Sequence, residues 1–171
     1  MNARDEFKEK FLEKRPEKWE KFPDIQLYMD QVISYLQRQH IGLSEGEELT
    51  SSMVNNYVKK GLLPRANGKR YEKEHIAYLT MICLFKQVLT VPETDDLLKL
   101  LLAGGTIEDI YEEYRLLVDE KFSETAVLFD KESSREERAH LALALAVNSY
   151  ASKLLCEKLI ALDKLENETA K

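Results

Sequence analysis

The chain has 171 residues and a formal net charge of −6, with 44% hydrophobic and 33% charged residues but only six glycines and four prolines. That balance excludes an acidic disordered chain, supports a real core and favours helices over strands. No run approaches the roughly 18–20 apolar residues that span a bilayer, and "MNARDEFKEKFLEKRPEK" has no apolar signal-peptide centre, so a cytoplasmic protein without membrane partners is expected.

Residues 1–23 read as a charged arm. Phe7 and Phe11, four apart, share a helical face, while Trp19 and Phe22 look like anchors after the break at Pro16. From Asp24 to His40, apolar residues at Ile25, Tyr28, Met29, Val32, Tyr35 and Leu36 keep helical spacing, predicting an amphipathic helix started by Pro23 and Asp24. "GLSEGEE" then reads as an exposed loop. Further on, "KEHIAYLTMICLFKQVL" is apolar on more than one face and predicts a buried helix. Thr90 with Glu93, and Thr106 with Asp109, resemble capping boxes; Gly104-Gly105 stops the helix between them. Ile107, Ile110, Tyr111, Tyr114, Leu117, Val118 and Phe122 form the next helical stripe. Ser134 with Glu137 opens a long last helix reaching about residue 165. Its "LALALAVNSYASKLL" is apolar nearly all round, so it is expected to be buried centrally or packed against a second copy of itself.

The stretch from Leu49 to His75 behaves differently. Thr50 or Ser51 can cap a helix whose last turn carries Lys59 and Lys60 before Gly61, a suitable left-handed stop. "LLPRANGKRY" then contains Asn-Gly, the strongest short-range hairpin signal. Helix, short β-hairpin, helix is the pattern of a winged helix-turn-helix. The stretch holds six basic residues against two acidic ones, in a chain that is acidic elsewhere. Such one-sided charge suits a protein that reads double-stranded DNA. Asn55 and Asn56 carry amides able to bond adenine edges or phosphates. Thr50, Ser51, Ser52 and Tyr57 offer hydroxyls to phosphate oxygens, and Lys59, Lys60, Arg65, Lys69, Arg70 and Tyr71 complete the candidate interface. The plainer reading makes Tyr57 and Tyr71 core anchors and the basic residues a solvated surface.

"NYVKKGLLP", "GKRYEKEHIAYL" and "VLTVPETDDLLKLLL" resemble the MerR-type winged helix. More closely, "WEKFPDIQLYMDQVISYL" and "LTSSMVNNYVKKGLLP" are similar to an uncharacterised bacterial family, domain-of-unknown-function family 1836, over roughly residues 16–105. The MerR resemblance implies a recognition helix at Ser51–Lys60 and a wing at Arg65–Tyr71. Asn55, Asn56 and Val58 depart from the Arg-Tyr-Tyr-acid pattern usual in MerR regulators. The expected architecture is all-α with a small β-hairpin wing. It comprises an arm (1–23), a MerR-like winged-helix domain (24–105) and a helical region (106–171) that dimerises.

Other chemistries find less support. Glu72/His75 and Glu137/His140 match the Glu-x-x-His spacing of di-iron bundles, yet the first falls at the wing's edge and the second in a charged helix start. Cys83 and Cys156 stand singly in apolar runs and read as buried thiols. The acids from Glu108 to Glu120 lie opposite an apolar stripe, as a solvated face would. Neither a phosphate loop nor a dinucleotide glycine pattern occurs. A non-enzymatic DNA-binding regulator without cofactor is therefore expected; the competing reading is a helical protein-interaction module that keeps the winged helix as scaffold. A small-molecule effector would need a pocket among the C-terminal helices.

Overall fold

The computed structural model describes residues 3–13, 15–39, 48–130 and 134–169, the last three as backbone only. Among them are seven α-helices: α1 (Ala3–Glu13), α2 (Met29–Gln39), α3 (Ser51–Lys59), α4 (Lys73–Phe85), α5 (Val91–Leu102), α6 (Ile107–Ala126) and α7 (Arg135–Thr169). Short 3-10 helices lie at Trp19–Lys21 and Val127–Asp130. Most of the loop expected at 42–48, and His40, lie outside the described residues.

Local chemistry starts several of these helices. Thr90 Oγ1 accepts from the Glu93 amide at 3.4 Å and the Glu93 carboxylate accepts from the Thr90 amide at 2.8 Å. Thr106 and Asp109 repeat the exchange at 3.2 and 3.1 Å, and Ser134 and Glu137 at 3.2 and 2.6 Å. Each box satisfies two amides that a helix start leaves without partners. The boxes also hold the Glu93, Asp109 and Glu137 carboxyls below their ordinary pKa, because the hydrogen bonds favour the charged form.

Helix α4 is the centre. Ile76, Ala77, Leu79, Met81 and Ile82 are all buried, so the helix is covered on several sides. Truncating one of its large residues to Ala would cost about 2–5 kcal/mol. One core joins α4 to α2, α3 and α6 and extends to the chain before α2. There Trp19 and Phe22 pack on Tyr111, with Phe22 and Tyr111 ring centres 5.0 Å apart. The Tyr111 hydroxyl donates to the Glu17 carbonyl at 2.7 Å, and the Trp19 amide donates to Glu112 at 3.0 Å. Trp19 and Phe22 thus serve as the anchors their position suggested. Burial pushes the Cys83 thiol up to about 12, as a thiol in apolar surroundings should behave.

Three expectations are corrected. The β-hairpin wing is absent: the described residues contain no strand or sheet, so the molecule is all-α. The Asn-Gly turn does form. Asn67 and Arg70 exchange backbone bonds of 3.1 and 3.0 Å across Gly68 and Lys69, both at positive φ (56° and 70°), as a type I′ turn requires. No ladder grows from it: the next bonded pair would be Arg65 with Glu72, but the Glu72 amide donates to His75 Nδ1 at 3.1 Å and the Arg65 carbonyl lies 3.4 Å from His75 Nε2. Leu62 and Leu63 both donate to the Tyr57 carbonyl, closing the end of α3. Pro64 has no amide to give. Tyr71, whose main-chain groups point away from Ala66, pairs with Leu27 in a bridge of 2.8 and 2.9 Å.

The second correction concerns α2, which starts at Met29 rather than near Asp24 and leaves Ile25 71% exposed. Gln31 accepts from the Tyr28 amide at 2.9 Å, and that bond marks the true start. Thirdly, the central placement of α7, one of the two expected, does not hold. The helix packs on α5, where Ile160 is buried and Lys164 pairs with Asp96, but most of its large apolar side chains are exposed.

Candidate nucleic-acid interface

Helix α3 sorts its residues by period. Val54 and Tyr57 turn inward at 0% and 2% exposure, while Ser51, Ser52, Asn55, Asn56 and Lys59 are all exposed. Positions i, i+1, i+4, i+5 and i+8 share one side of a helix, so hydroxyls, amides and an ammonium share one outer face. Thr50 caps the start, its Oγ1 accepting from the Met53 amide at 3.2 Å. Gly61, at φ +78°, ends the helix in the left-handed region that glycine tolerates best.

The basic turn follows directly. Lys59, Lys60, Arg65 and Lys69 are exposed, and none makes an ion pair among the described residues. Lys73 is different: its ammonium lies 2.6 Å from Asp24, so it is neutralised locally. Arg70 is exposed but ordered. Its guanidinium stacks 4.8 Å above the Tyr28 ring and donates to the Tyr28 hydroxyl at 3.0 Å, a contact worth ~0.5–1 kcal/mol at an exposed site. Tyr28 was expected on the apolar stripe of a longer helix. It lies outside α2 and holds Arg70 instead; Gln31, three residues on, was the available signal.

Two candidates leave the surface. Tyr57 is a core residue whose hydroxyl accepts from Lys86 at 3.3 Å; burial raises its pKa and Lys86 opposes the rise. Tyr71 is buried as well, and burial raises its pKa too. Both are core anchors, and neither offers a phenol to a ligand. Thr50 spends its hydroxyl on the cap but stays exposed. The face therefore reduces to Ser51, Ser52, Asn55, Asn56, Lys59 and Lys60 on α3 and its end, with Arg65, Lys69 and Arg70 around the turn.

His75 is not among exposed charges. It is buried, its Nδ1 accepts from the Glu72 amide at 3.1 Å, and its Nε2 lies 3.4 Å from the Arg65 carbonyl. Both ring nitrogens thus secure the segment between the basic turn and α4. His140 is exposed beside Glu136 at 3.8 Å. No group of side chains suited to hold a metal ion occurs among the described residues, and no helix there is long and apolar enough to cross a membrane.

A family model described as Domain of unknown function (DUF1836) matches residues 17–114, more than half of the chain. That span runs from Glu17, just before the Trp19 anchor, to Tyr114 of α6 and contains the whole candidate interface. No curated protein and no solved structure matches.

Proposed function

The chain belongs to the family described as Domain of unknown function (DUF1836), and we propose that it binds double-stranded DNA as a transcriptional regulator, reading the major groove with α3. One observation carries the reading. In a chain of net charge −6, the outer face of α3 and the turn after it present Lys59, Lys60, Arg65 and Lys69 with no ion-pair partner among the described residues, beside two exposed asparagines. Cations left unneutralised release counterions when they meet phosphates, which supplies affinity and strong salt dependence. Asn55 and Asn56 supply amides suited to adenine edges, which is where specificity arises. The likeness of "NYVKKGLLP" to MerR-type readers supports the recognition role of α3. The flanking role passes to the tight turn at 67–70, which carries no β-ribbon.

A second copy completes the reader. Nine large apolar side chains of α7 are exposed. Leu143, Val147, Tyr150 and Leu154 follow spacings of four, three and four, the repeat of a helix-pairing seam. This seam lies roughly a third of a turn round from Ile160, which faces α5. A helix of 35 residues is about 50 Å long, enough for a standard interface of ~800 Å² per partner. A two-fold dimer would present two copies of α3 to a palindromic site.

The deciding experiment mixes the purified protein with sheared genomic DNA of its source at about physiological salt and sequences what is retained. Enrichment of a few roughly palindromic sites is expected. Uniform retention or none would overturn the proposal and favour the reading in which these helices form a protein-interaction module.

A further inference from the structure

A cavity of about 500 Å³ lies where α1 meets the second 3-10 helix and the start of α7. Phe7 and Phe11 of α1, Phe129 of the second 3-10 helix and Leu141 of α7 supply much of its wall. Arg4 and Arg138 also line it, with no carboxylate among the described lining residues. The wall from α1 is fixed in place. Phe11 stacks on Phe122 at 5.0 Å and meets Phe129 at 5.8 Å, and Lys8 pairs with Asp130. Phe7 is largely exposed, so the cavity opens to solvent on that side.

The volume falls inside the ~300–1,000 Å³ range of small-molecule sites. Water gains few hydrogen bonds against carbon walls, so an apolar chain displaces it readily. The two guanidinium groups set the sign of the head group, since their planar forks match a carboxylate. Polar ligands such as sugars would find too few partners. A cationic amphiphile would meet like charge. We propose that this cavity binds an amphipathic monoanion, of the medium-chain carboxylic acid class, with the chain among the phenylalanines and the carboxylate at Arg4 and Arg138. The site is independent of the DNA reading. It also differs from the α7 seam: Leu141 faces the cavity, whereas Leu143, two residues on, points to nearly the opposite side. Because α1 and α7 both contribute walls, occupancy ties α1 to the first turns of α7.

The test is calorimetric titration of the full chain with decanoate, decanol and decyltrimethylammonium, each below its aggregation concentration, and with vesicles of phosphatidylglycerol. Saturable 1:1 binding of decanoate is expected, at least tenfold tighter than either analogue. Ala142→Trp, at an exposed position lining the cavity, should fill the space and abolish binding, with circular dichroism reporting the fold. Arg4→Glu with Arg138→Glu, both on helix surfaces, should reverse the preference towards the cation. No saturable decanoate binding, or binding untouched by Ala142→Trp, would overturn the assignment. Equal binding of decanol would overturn the anionic class, and binding to vesicles alone would make the patch a membrane contact. A change of oligomeric state in Ala142→Trp, without ligand binding by the parent protein, would make it an interface between copies.

Discussion

Replacing Lys59 by Gln and Lys69 by Asn together tests the proposed interface while leaving the fold alone. Both lysines are exposed and outside any ion pair among the described residues. Gln keeps a good helix former in the last turn of α3, and Asn tolerates the left-handed backbone that Lys69 adopts at φ +70°. Stability should therefore change by no more than about 0.5 kcal/mol. The proposal gives each lysine one phosphate. Each phosphate contributes about −0.9 to the slope of log affinity against log salt, so the pair removes ~1.8 per protomer. Between 50 and 200 mM salt the parent protein should then lose roughly twelve-fold more affinity per protomer than the variant does. A two-fold dimer doubles the change in slope to ~3.6, a difference of roughly 150-fold over the same interval. Fluorescence anisotropy of a captured DNA fragment, repeated over a series of salt concentrations, measures both slopes. Identical slopes would refute the assignment of these cations to phosphate, whatever happened to affinity at a single salt concentration.

Asn55→Ala and Asn56→Ala should relax base preference by about 1–3 kcal/mol at one position without changing the salt slope; competition with single-base variants of the site measures it, and an unchanged preference removes base reading from α3. Gly61→Ala meets no steric clash, but the left-handed backbone there should cost about 1–2 kcal/mol, lowering the melting temperature by a few degrees; an unchanged melt would mean the end of α3 rearranges freely. Thr90→Ala with Thr106→Ala removes the hydroxyls that hold Glu93 and Asp109 below their ordinary 4.5 and 3.8. Depressed values mean that the stabilisation is fully present above those ordinary values and lost as pH falls through the folded ones. The double variant should therefore show a smaller loss of urea midpoint between about pH 6 and about pH 3 than the parent; equal losses would contradict the capping account. Val147→Glu with Leu154→Glu, placed in the α7 seam, should give a folded monomer by sedimentation velocity and weaken DNA binding, whereas an unaltered dimer would place the interface elsewhere.

The capping boxes were readable because their chemistry is local: Thr90, Thr106 and Ser134 each bond a side chain three residues away. Most of the outer face of α3 was readable for a similar reason, since an apolar Val54 turned inward fixes which way the neighbouring asparagines point. Tyr57 and Tyr71 misled as surface hydroxyls because a phenol attached to a large ring gains more from burial than its polar tip loses. The hairpin failed for a different reason. Asn-Gly encodes the turn, and the turn formed; a ladder needs Arg65 and Glu72 to bond each other next, and both are engaged by His75. The α2 boundary was misplaced because Ile25, Tyr28 and Met29 keep a helical spacing while the chain between them, at Leu27, was committed to Tyr71. For α7, an all-round apolar sequence permits two placements, and only the packing of α5 against one side of the helix distinguishes them.

The Leu27–Tyr71 bridge has a bearing on how this sequence can drift. Both bonds run between main-chain groups, so they constrain no side-chain chemistry at either position beyond the need to stay buried. Among relatives, apolar exchanges at 27 and 71 should therefore pass freely while proline is shut out of both, since each amide is a donor. Arg70 sits next to one end of this tie and Tyr28 next to the other. A pair that looks like two unrelated surface residues, 42 positions apart, is brought into register by a bond in which neither takes part.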